Sequence, residues 1–287
     1  MGRSEPKSEA TEEVAQTTPL ILHGAPLVFG LRPKSYRLAS WNINFGNQQV
    51  EQVAAELEKA DADIVCLQET TRQSEDFLVS AMKGRYPHYQ SFGHQGNYYA
   101  ERFLVLSKEP WKSIRYVPPV RRFFGSVVME TEFNEAPVQI VSVHLAPFTA
   151  NGVQSLAGLY SAMGETEVDH QHEIQAILES VSVKAPVVIL GDFNSLAGMV
   201  APRMLRDAGF IDAFEKLESN ADQTHRTWHW PIQGAGELRL RIDYVFHSTH
   251  FKPKNAHVVP CTHSDHDLLV VDFSDDLGLK GTGMAGD

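Results

Sequence analysis

Short apolar runs that favour β-strands recur along the chain and alternate with stretches whose apolar residues have helical spacing. This alternation predicts a domain of mixed α and β structure. The helical spacing is clear at Ile174, Ile177, Leu178 and Val181, and Asn47 is predicted to cap an earlier helix. The strand-like runs are residues 36–43, 63–67, 102–106, 126–133, 138–145, 187–190, 241–246 and 267–273.

Nearly every one of these runs ends in a polar residue that strand propensity does not require. Because sites in sheet-based α/β proteins lie beyond the strand ends, these polar residues are candidate site residues. Any one of them alone is equally well a capping or turn residue, but coincidence is a poor explanation for the whole set. The set comprises Asn42, Asn44, Glu69, His144, Asp192, Asn194, Asp243, Asp265 and His266.

The composition is that of a folded domain with less ordered ends. Of the 287 residues, 43% are hydrophobic and 21% are charged, which provides a sizeable core and excludes global disorder. Residues 1–34 are predicted to form a mobile tail and a surface arm, 35–275 the domain, and 276–287 a flexible tail. No apolar run is long enough to span a bilayer. Prolines and a histidine interrupt the apolar stretch 19–30, so we expect a cytoplasmic protein, with secretion as the lesser alternative.

Charge and cysteine content narrow the possible functions. The formal net charge of −11 argues against tight, nonspecific binding of nucleic acid through a basic surface, although it permits a local basic groove. With Cys66 and Cys261 as the only cysteines, the chain has neither a disulfide framework nor a cysteine-built zinc site. Cys66 lies inside a strand-like run and is expected to be an inert buried thiol.

Histidine is frequent, with 13 in the chain, and it is the residue of proton transfer and metal binding near neutral pH. His170 and His172 are expected to lie on the surface near a helix start. His225 and His229 have the spacing of zinc ligands on a helix, but the surrounding tryptophans and proline disfavour a helix there. Two stretches are predicted to be long, functional or mobile loops, residues 144–165 and 219–237.

The polar strand ends lie within segments that resemble those of the endonuclease/exonuclease/phosphatase superfamily, which has the deoxyribonuclease I-like fold. The resemblance implies an α/β four-layer sandwich in a single domain, with two face-to-face mixed β-sheets flanked by α-helices. It also implies hydrolysis of a phosphate ester with Mg²⁺, or alternatively Mn²⁺. The matching segments follow the family's order and are residues 40–42, 67–69, 143–145, 191–194, 241–244 and 264–266.

Phosphate ester hydrolysis explains why these residue types are needed. The ester is anionic and repels hydroxide, and a divalent cation with oxygen ligands neutralises that charge. The resemblance implies Glu69 as the metal ligand, with Asn42 and Asp265 near the ion or holding its waters. Asp192 is suited to orienting and deprotonating the attacking water, and Asn194 to holding a phosphate oxygen or the nucleophile.

The resemblance also implies two histidine–carboxylate pairs. His266 can donate to a non-bridging phosphate oxygen, and Asp243 would fix its tautomer and keep it charged. By analogy with deoxyribonuclease I and its relatives, Glu101 pairs with His144, which protonates the leaving oxygen or grips the phosphate. The remaining expected phosphate contacts are Tyr99 and either Arg121 or Arg122, between which the register does not decide.

Departures from the motifs of individual branches narrow the choice of substrate. Phe45 and Thr70 differ from the residues of abasic-site endonucleases, and the segments of inositol polyphosphate 5-phosphatases are absent. The match is nearer to deoxyribonuclease I, sphingomyelinase and tyrosyl-DNA phosphodiesterase. We therefore expect a monomeric, Mg²⁺-dependent phosphodiesterase, with a nuclease favoured. The alternative is a phosphatase or a sphingomyelinase-like phospholipase, for which an apolar lip near residues 146–159 could hold a lipid.

Two other kinds of protein fit less well. A dinuclear metallophosphoesterase with histidine ligands needs Asp-x-His and Gly-Asn-His segments, which the chain lacks. A non-enzymatic binding module on this fold would be expected to have lost a metal-binding glutamate or a catalytic histidine. Glu69, His144, Asp192 and His266 are all present.

Overall fold

Strands and helices alternate along the chain, as the sequence predicts. The computed structural model describes residues 35–93, 102–121, 123–148, 155–182, 185–232 and 236–277. The strands are β1 (Ser35–Asn42), β2 (Ile64–Gln68), β3 (His88–Gly93), β4 (Arg102–Ser107), β5 (Ser113–Val117), β6 (Ser126–Phe133), β7 (Ala136–His144), β8 (Val187–Asp192), β9 (Ile211–Asp212), β10 (Trp228–Ile232), β11 (Gly236–Leu240), β12 (Asp243–His247), β13 (Pro253–Val259) and β14 (Leu268–Ser274). The helices are α1 (Val50–Ala60), α2 (Arg72–Met82), α3 (Leu156–Glu165), α4 (Glu167–Ser180), α5 (Val200–Asp207), α6 (Ala213–Leu217) and α7 (Ala221–Thr224).

The strands form two mixed, six-stranded sheets and a separate hairpin within the described residues. The first sheet has the order β13-β14-β1-β2-β4-β3, with β1 and β2 parallel and the other neighbours antiparallel. The second has the order β5-β6-β7-β8-β12-β9, with β7 and β8 parallel and the other neighbours antiparallel. Strands β10 and β11 form the hairpin. In each sheet a helix-containing connection therefore joins a central parallel pair, as parallel strands require.

The two sheets pack face to face, and helices cover their outer faces. One apolar cluster joins Leu38 and Phe103 of the first sheet to Val127 and Val188 of the second. The outer face of the first sheet packs against α1 and α2, and that of the second against α4 and α5. This arrangement is the predicted four-layer α/β sandwich, and the structure confirms it. The Cys66 side chain lies in the layer between the sheets, where burial raises the pKa of its thiol to about 12, so it is the inert thiol that was expected.

Local sequence explains where the first helices begin. Thr71 caps α2, because its hydroxyl accepts from the backbone N–H of Ser74 at 3.1 Å while the Ser74 hydroxyl accepts from the N–H of Thr71 at 2.8 Å. The predicted cap at Asn47 is wrong. Helix α1 begins at Val50 after Gln49, and the Asn47 side chain instead accepts from the N–H of Gln49 at 2.7 Å. That contact forms a short turn before the helix.

Both stretches predicted as long loops contain regular structure. Residues 155–165 include α3, whose Leu159 and Met163 are four residues apart and both buried against Trp228. Residues 219–237 include α7 and most of the β10–β11 hairpin. Trp228 and Trp230 lie on the same face of β10 and stack at a centroid distance of 6.3 Å. Large apolar side chains at regular spacing in both stretches outweigh their glycine and polar content.

The predicted N-terminal tail, residues 1–34, lies outside the described residues, as does the predicted C-terminal tail beyond residue 277. Among the helices that the structure describes, none combines the length and the apolar character needed to cross a membrane.

Candidate active site

Strand direction brings the predicted site residues to one end of the two sheets. In the first sheet, β1 and β2 are parallel, so Asn42 and Glu69 lie together at their carboxyl ends. In the second, β7 and β8 are parallel and β12 is antiparallel to β8. The register therefore places Asp192 opposite His144 on one side and opposite Asp243 on the other. Each sheet supplies part of one constellation.

The Asp192 carboxylate is the point at which these parts meet. Its Oδ2 accepts from the Asn42 amide Nδ2 at 3.1 Å, and that same nitrogen donates to Glu69 Oε1 at 2.9 Å. His144 Nε2 lies 3.5 Å from Asp192 Oδ2, and His266 Nε2 lies 3.6 Å from it. One carboxylate oxygen is thus within reach of two imidazoles and of an amide from the opposite sheet.

The backbone around Asp192 is tightly held. Gly191 has φ +144°, and a side chain at this position would collide with the carbonyl oxygen of Val143 on the neighbouring strand. Asn194 lies in the left-handed region with φ 47°. Its N–H donates to Asp192 Oδ1 at 2.9 Å, and its side-chain Nδ2 donates to the carbonyl of Leu145 at 3.1 Å. The glycine therefore permits the close approach of the strands that carry Asp192 and His144.

His266 belongs to a buried hydrogen-bonded chain. Its Nδ1 donates to Asp243 Oδ2 at 3.0 Å, and the Thr227 hydroxyl donates to the same oxygen at 2.6 Å. The carbonyl of His266 accepts from the indole Nε1 of the buried Trp41 at 2.9 Å, which fixes the backbone. The predicted pairing of His266 with Asp243 is therefore present, and it leaves Nε2 directed toward Asp192.

His144 is held by packing instead. Its ring stacks on Phe124 with centroids 3.8 Å apart and an interplanar angle of 11°. Its Nε2 lies 3.7 Å from Glu69 Oε1, and its Nδ1 has no partner among the described residues. The expected partner Glu101 and the expected phosphate contact Tyr99 fall within residues 94–101, outside the described residues.

The two histidines have opposite electrostatic environments. Burial alone would lower the pKa of His266, but Asp243 and Asp192 together outweigh it and raise that pKa well above its usual value. Burial lowers the pKa of His144 well below its usual value, and the charge of His266 lowers it further. Burial raises the pKa of Asp192 to about 8, with Asp243 adding to the rise and His266 opposing it.

The segments that carry the site match the sequence model of a known protein family. Residues 39–266 match the sequence model of the Endonuclease/Exonuclease/phosphatase family, and this range contains every strand end of the site. The chain belongs to the endonuclease/exonuclease/phosphatase family. The resemblance seen in the sequence is thereby confirmed. No match was found among curated protein sequences.

Solved structures of this family share the fold. A humanized D. rerio TDP2 is 18% identical, with a TM-score of 0.63, and the match covers 84% of this chain and 99% of that one. A family protein from Leptotrichia buccalis is 17% identical, also with a TM-score of 0.63, covering 83% and 99% of the two chains. A D. rerio TDP2 complexed with a single-strand DNA product is 16% identical, with a TM-score of 0.61, covering 84% and 99%. At these identities the likeness concerns the fold.

The residues present fit the divalent cation that the family's reaction uses. No lysine or arginine in the described parts of the chain pairs with Glu69, Asp192, Asp243 or Asp265, so this end of the sheets carries more negative than positive charge. Burial raises the pKa of Glu69, against the hydrogen bond from Asn42, so a cation beside it would stabilise its charged form. Carboxylate oxygens are the ligands that Mg²⁺ prefers.

The three predicted metal-site residues differ in what they offer. Glu69 keeps a partly accessible carboxylate, 16% exposed, whose Oε2 accepts from the N–H of Phe45 at 3.2 Å. Asn42 turns its amide nitrogen toward the carboxylates and so holds them in place. Asp265 accepts from Asn44 Nδ2 at 2.8 Å and from Trp228 Nε1 at 3.3 Å. Burial would raise the pKa of Asp265, but His266 and these donors outweigh it and lower that pKa.

A second set of possible metal-ligand atoms belongs to the hydrogen-bonded chain of His266. Asp192, Asp243 and His266 place nitrogen and oxygen atoms within 4.8 Å of one another. Asp243 Oδ2 already accepts from Thr227 and from His266, and His266 Nδ1 is used in that bond. We therefore interpret this cluster as a charge-stabilising network, and Glu69 as the ligand candidate.

The predicted arginine contacts are not part of this constellation in the described structure. Arg121 is 46% exposed, and its Nε pairs with Asp169 of α4 at 2.9 Å. Arg122 lies outside the described residues.

A groove of about 730 Å³ lies beside Asn44 and Asp265. The side chains of Asn47, Gln48 and Gln49 contribute amides to its lining, and Arg239 of the β10–β11 hairpin contributes a guanidinium. Arg239 pairs with Glu237 at 3.0 Å, so its charge is partly balanced. The groove is large enough for a group of nucleoside size, and its lining combines polar and apolar groups.

Several supporting residues escaped the sequence analysis. Thr227, Trp228 and Phe124 hold Asp243, Asp265 and His144, respectively. Their signal was weak, because a threonine or an aromatic residue in a polar stretch is as common in ordinary turns and surface strands as beside a site. The clearest sequence signal among them is the Trp-His-Trp alternation at residues 228–230, because it predicts a strand.

Proposed function

We propose that this protein is a divalent-metal-dependent phosphodiesterase that acts on nucleic acid or a nucleotide-like diester. The observation that carries the proposal is the contact of Asp192 with two imidazoles of opposite protonation tendency, beside a carboxylate suited to a metal. The D. rerio TDP2 structure with a single-strand DNA product supports a nucleic-acid substrate for a protein of this fold.

In this proposal Asp192 orients a water and takes its proton, and Asn194 holds the phosphate or the attacking water. His266, kept charged by Asp243, donates from Nε2 to a non-bridging phosphate oxygen, where negative charge increases in the transition state. A divalent cation held by Glu69 would neutralise the phosphate and favour the ionised form of Asp192. The roles of Tyr99, Glu101 and Arg122 stay predictions.

His144 is expected to act as a neutral hydrogen-bond donor. Because its pKa is lowered, its ring carries no charge near neutral pH, which favours gripping the phosphate over protonating the leaving oxygen. Its Nε2 faces Glu69 and Asp192, where a bound phosphate oxygen would lie.

The stretch 146–159, which suggested an apolar lip, is described only in part. Ala146 and Leu159 at its ends are buried, Phe148 is partly buried against the cluster that contains Trp228, and residues 149–154 lie outside the described residues. The burial of these residues favours a polar substrate over an acyl chain.

A hydrolysis panel tests the proposal. Supercoiled plasmid, single-stranded DNA, RNA, bis-p-nitrophenyl phosphate, p-nitrophenyl phosphate and sphingomyelin vesicles are each incubated with Mg²⁺, Mn²⁺ or EDTA. We expect metal-dependent cleavage of a nucleic acid and of the bis-ester, lost in Asp192→Asn. Release from the monoester or from the vesicles alone would overturn the proposal in favour of a phosphatase or a phospholipase.

A further inference from the structure

Helix α4 holds the peptide that follows His144. Strand β7 ends at His144, so Leu145 and Ala146 lie beyond its strand ladder and need other partners. Leu145 donates its N–H to the carbonyl of Asp192 at 2.9 Å and accepts from Asn194 Nδ2 at 3.1 Å. Both of its backbone groups are therefore bound by the segment that carries the proposed base.

Two side chains of α4 bind the next residue. The N–H of Ala146 donates to Glu173 Oε2 at 3.0 Å, and the carbonyl of Ala146 lies 2.8 Å from His170 Nε2. A carbonyl can only accept, so His170 carries its proton on Nε2. His170 and Glu173 are both buried, although the sequence analysis placed His170 on the surface; that expectation was wrong. The reason is that His170 precedes the buried Ile174 by one helical turn and so shares its face.

Burying the polar side chains of His170 and Glu173 costs free energy, and packing alone does not require polar groups here. His170 Nδ1 and Glu173 Oε1 are buried and have no hydrogen-bond partner among the described residues; Glu167 Oε1 lies 3.9 Å from His170 Nδ1. An apolar pair would fill the same space without burying such atoms, but it would deprive the N–H and the carbonyl of the buried Ala146 of these partners. What the polar pair adds is a fixed position for one peptide group, two residues from His144.

We propose that His170 and Glu173 are positioning residues that fix the end of β7, and through it the placement of His144 relative to Asp192. The inference rests on the proposed function for its catalytic consequence. Burial raises the pKa of Glu173 to about 8, with the Ala146 N–H opposing the rise, so a neutral carboxyl prevails at neutral pH. Burial likewise lowers the pKa of His170 and favours its neutral ring. Both partners thus act as neutral hydrogen-bonding groups, which amides can imitate.

Conservative and apolar variants separate positioning from packing. Glu173→Gln keeps an acceptor for the Ala146 N–H, and His170→Gln keeps a donor for its carbonyl. Glu173→Leu and His170→Leu keep apolar volume but remove the hydrogen bonds. His172→Ala, at an exposed position of the same helix, is the matched control.

The first readout is steady-state hydrolysis of bis-p-nitrophenyl phosphate, with the unfolding midpoint measured for each variant. We expect kcat to fall about tenfold or more in each leucine variant, since a small misplacement of a catalytic group has effects of this order, with KM changed less. The glutamine variants and the control should stay within about threefold of wild type. Folded leucine variants with wild-type kcat would overturn the inference while the proposed function stands.

The second readout does not depend on a substrate. NMR of the imidazole nitrogens reports the environment of His144 in the protein itself. We expect the His144 signals to shift in the leucine variants and to stay in place in the glutamine variants. If the wild type hydrolyses no phosphodiester, the proposed function fails, and unchanged His144 signals in the leucine variants would then overturn the positioning role as well.

Discussion

His144 and His266 face the same oxygen from two sides of the site, yet their surroundings have little in common. Both approach Asp192 Oδ2, at 3.5 and 3.6 Å respectively. His266 donates its other nitrogen to Asp243, whereas His144 stacks on Phe124 and has no Nδ1 partner among the described residues. The pKa is raised well above the usual value for His266 and lowered well below it for His144.

The difference shows what a second carboxylate does for a buried imidazole. Burial opposes the charged form in both cases, and the outcome depends on whether nearby negative charge exceeds that penalty. For His266 it does, because Asp243 and Asp192 both contribute. For His144 the nearest cation, His266, works in the same direction as burial. One fold thus holds a charged donor and a neutral donor at one reaction centre.

The largest effect is expected from the residue that the two sides share. Asp192→Asn keeps the shape of the side chain but removes the proposed base, and we expect kcat to fall about a thousandfold, within the range for loss of general-base catalysis. Hydrolysis of bis-p-nitrophenyl phosphate at saturating Mg²⁺ measures it. A variant with near wild-type turnover would remove Asp192 from the mechanism.

The next largest loss of kcat is expected at the charged imidazole, His266, and its partner Asp243. Asp243→Asn removes the main source of the raised pKa of His266, and we expect a loss of about a hundredfold in kcat, as for removal of a transition-state donor. His266→Ala should cost at least as much. The pair is checked by the double variant, which should be no worse than His266→Ala; an additive loss would show that Asp243 acts independently of His266.

A smaller loss is expected on the neutral side. His144→Gln retains an amide donor, and we expect about a tenfold reduction in kcat, less than for His266→Ala, because no charge is removed. Equal losses at the two positions, compared under the same metal and pH conditions, would contradict the division between a charged and a neutral donor.

The pH dependence of stability separates the two histidines without substrate. The raised folded pKa of His266 contributes stability that is fully present below about pH 6.5 and is lost as the pH rises through that folded pKa. The lowered folded pKa of His144 has the opposite consequence, a loss of stability as the pH falls below about 6.5 toward that folded value.

Urea unfolding in EDTA across this range measures both contributions as differences from wild type. Compared with wild type, the free energy of unfolding of His144→Gln should fall less as the pH is lowered. That of Asp243→Asn should fall less as the pH is raised. Parallel curves for all three proteins would contradict the assignment.

The smallest effect is expected at Arg121. This side chain is 46% exposed and pairs with Asp169, so Arg121→Ala should change stability by less than about 1 kcal/mol. We expect kcat to stay within about threefold of wild type, because the pairing directs Arg121 to α4. A large rise in KM would restore Arg121 as the phosphate contact.

Much of the constellation was visible in the sequence because strand order converts motif order into proximity. Asn42 and Asp192 end recognisable strands, and parallel pairing places each beside the end of a neighbouring strand. His266 precedes β14, whose antiparallel pairing with β1 brings it to the same end of the sheet. Helix α3 and the hydrogen bond from the Ala146 N–H to Glu173 were not predicted. Their residues look like an ordinary loop and an ordinary helix until their partners, Trp228 and Ala146, are known.

The most direct test of the division between a charged and a neutral imidazole is a pH titration of both rings by nitrogen NMR in the metal-free protein. At about pH 6.5, where an ordinary histidine is half protonated, we expect a fully charged ring for His266 and a neutral ring for His144. Asp243→Asn should move His266 toward neutrality and leave His144 neutral. Two rings that titrate together near that pH would contradict the assignment of one charged and one neutral donor.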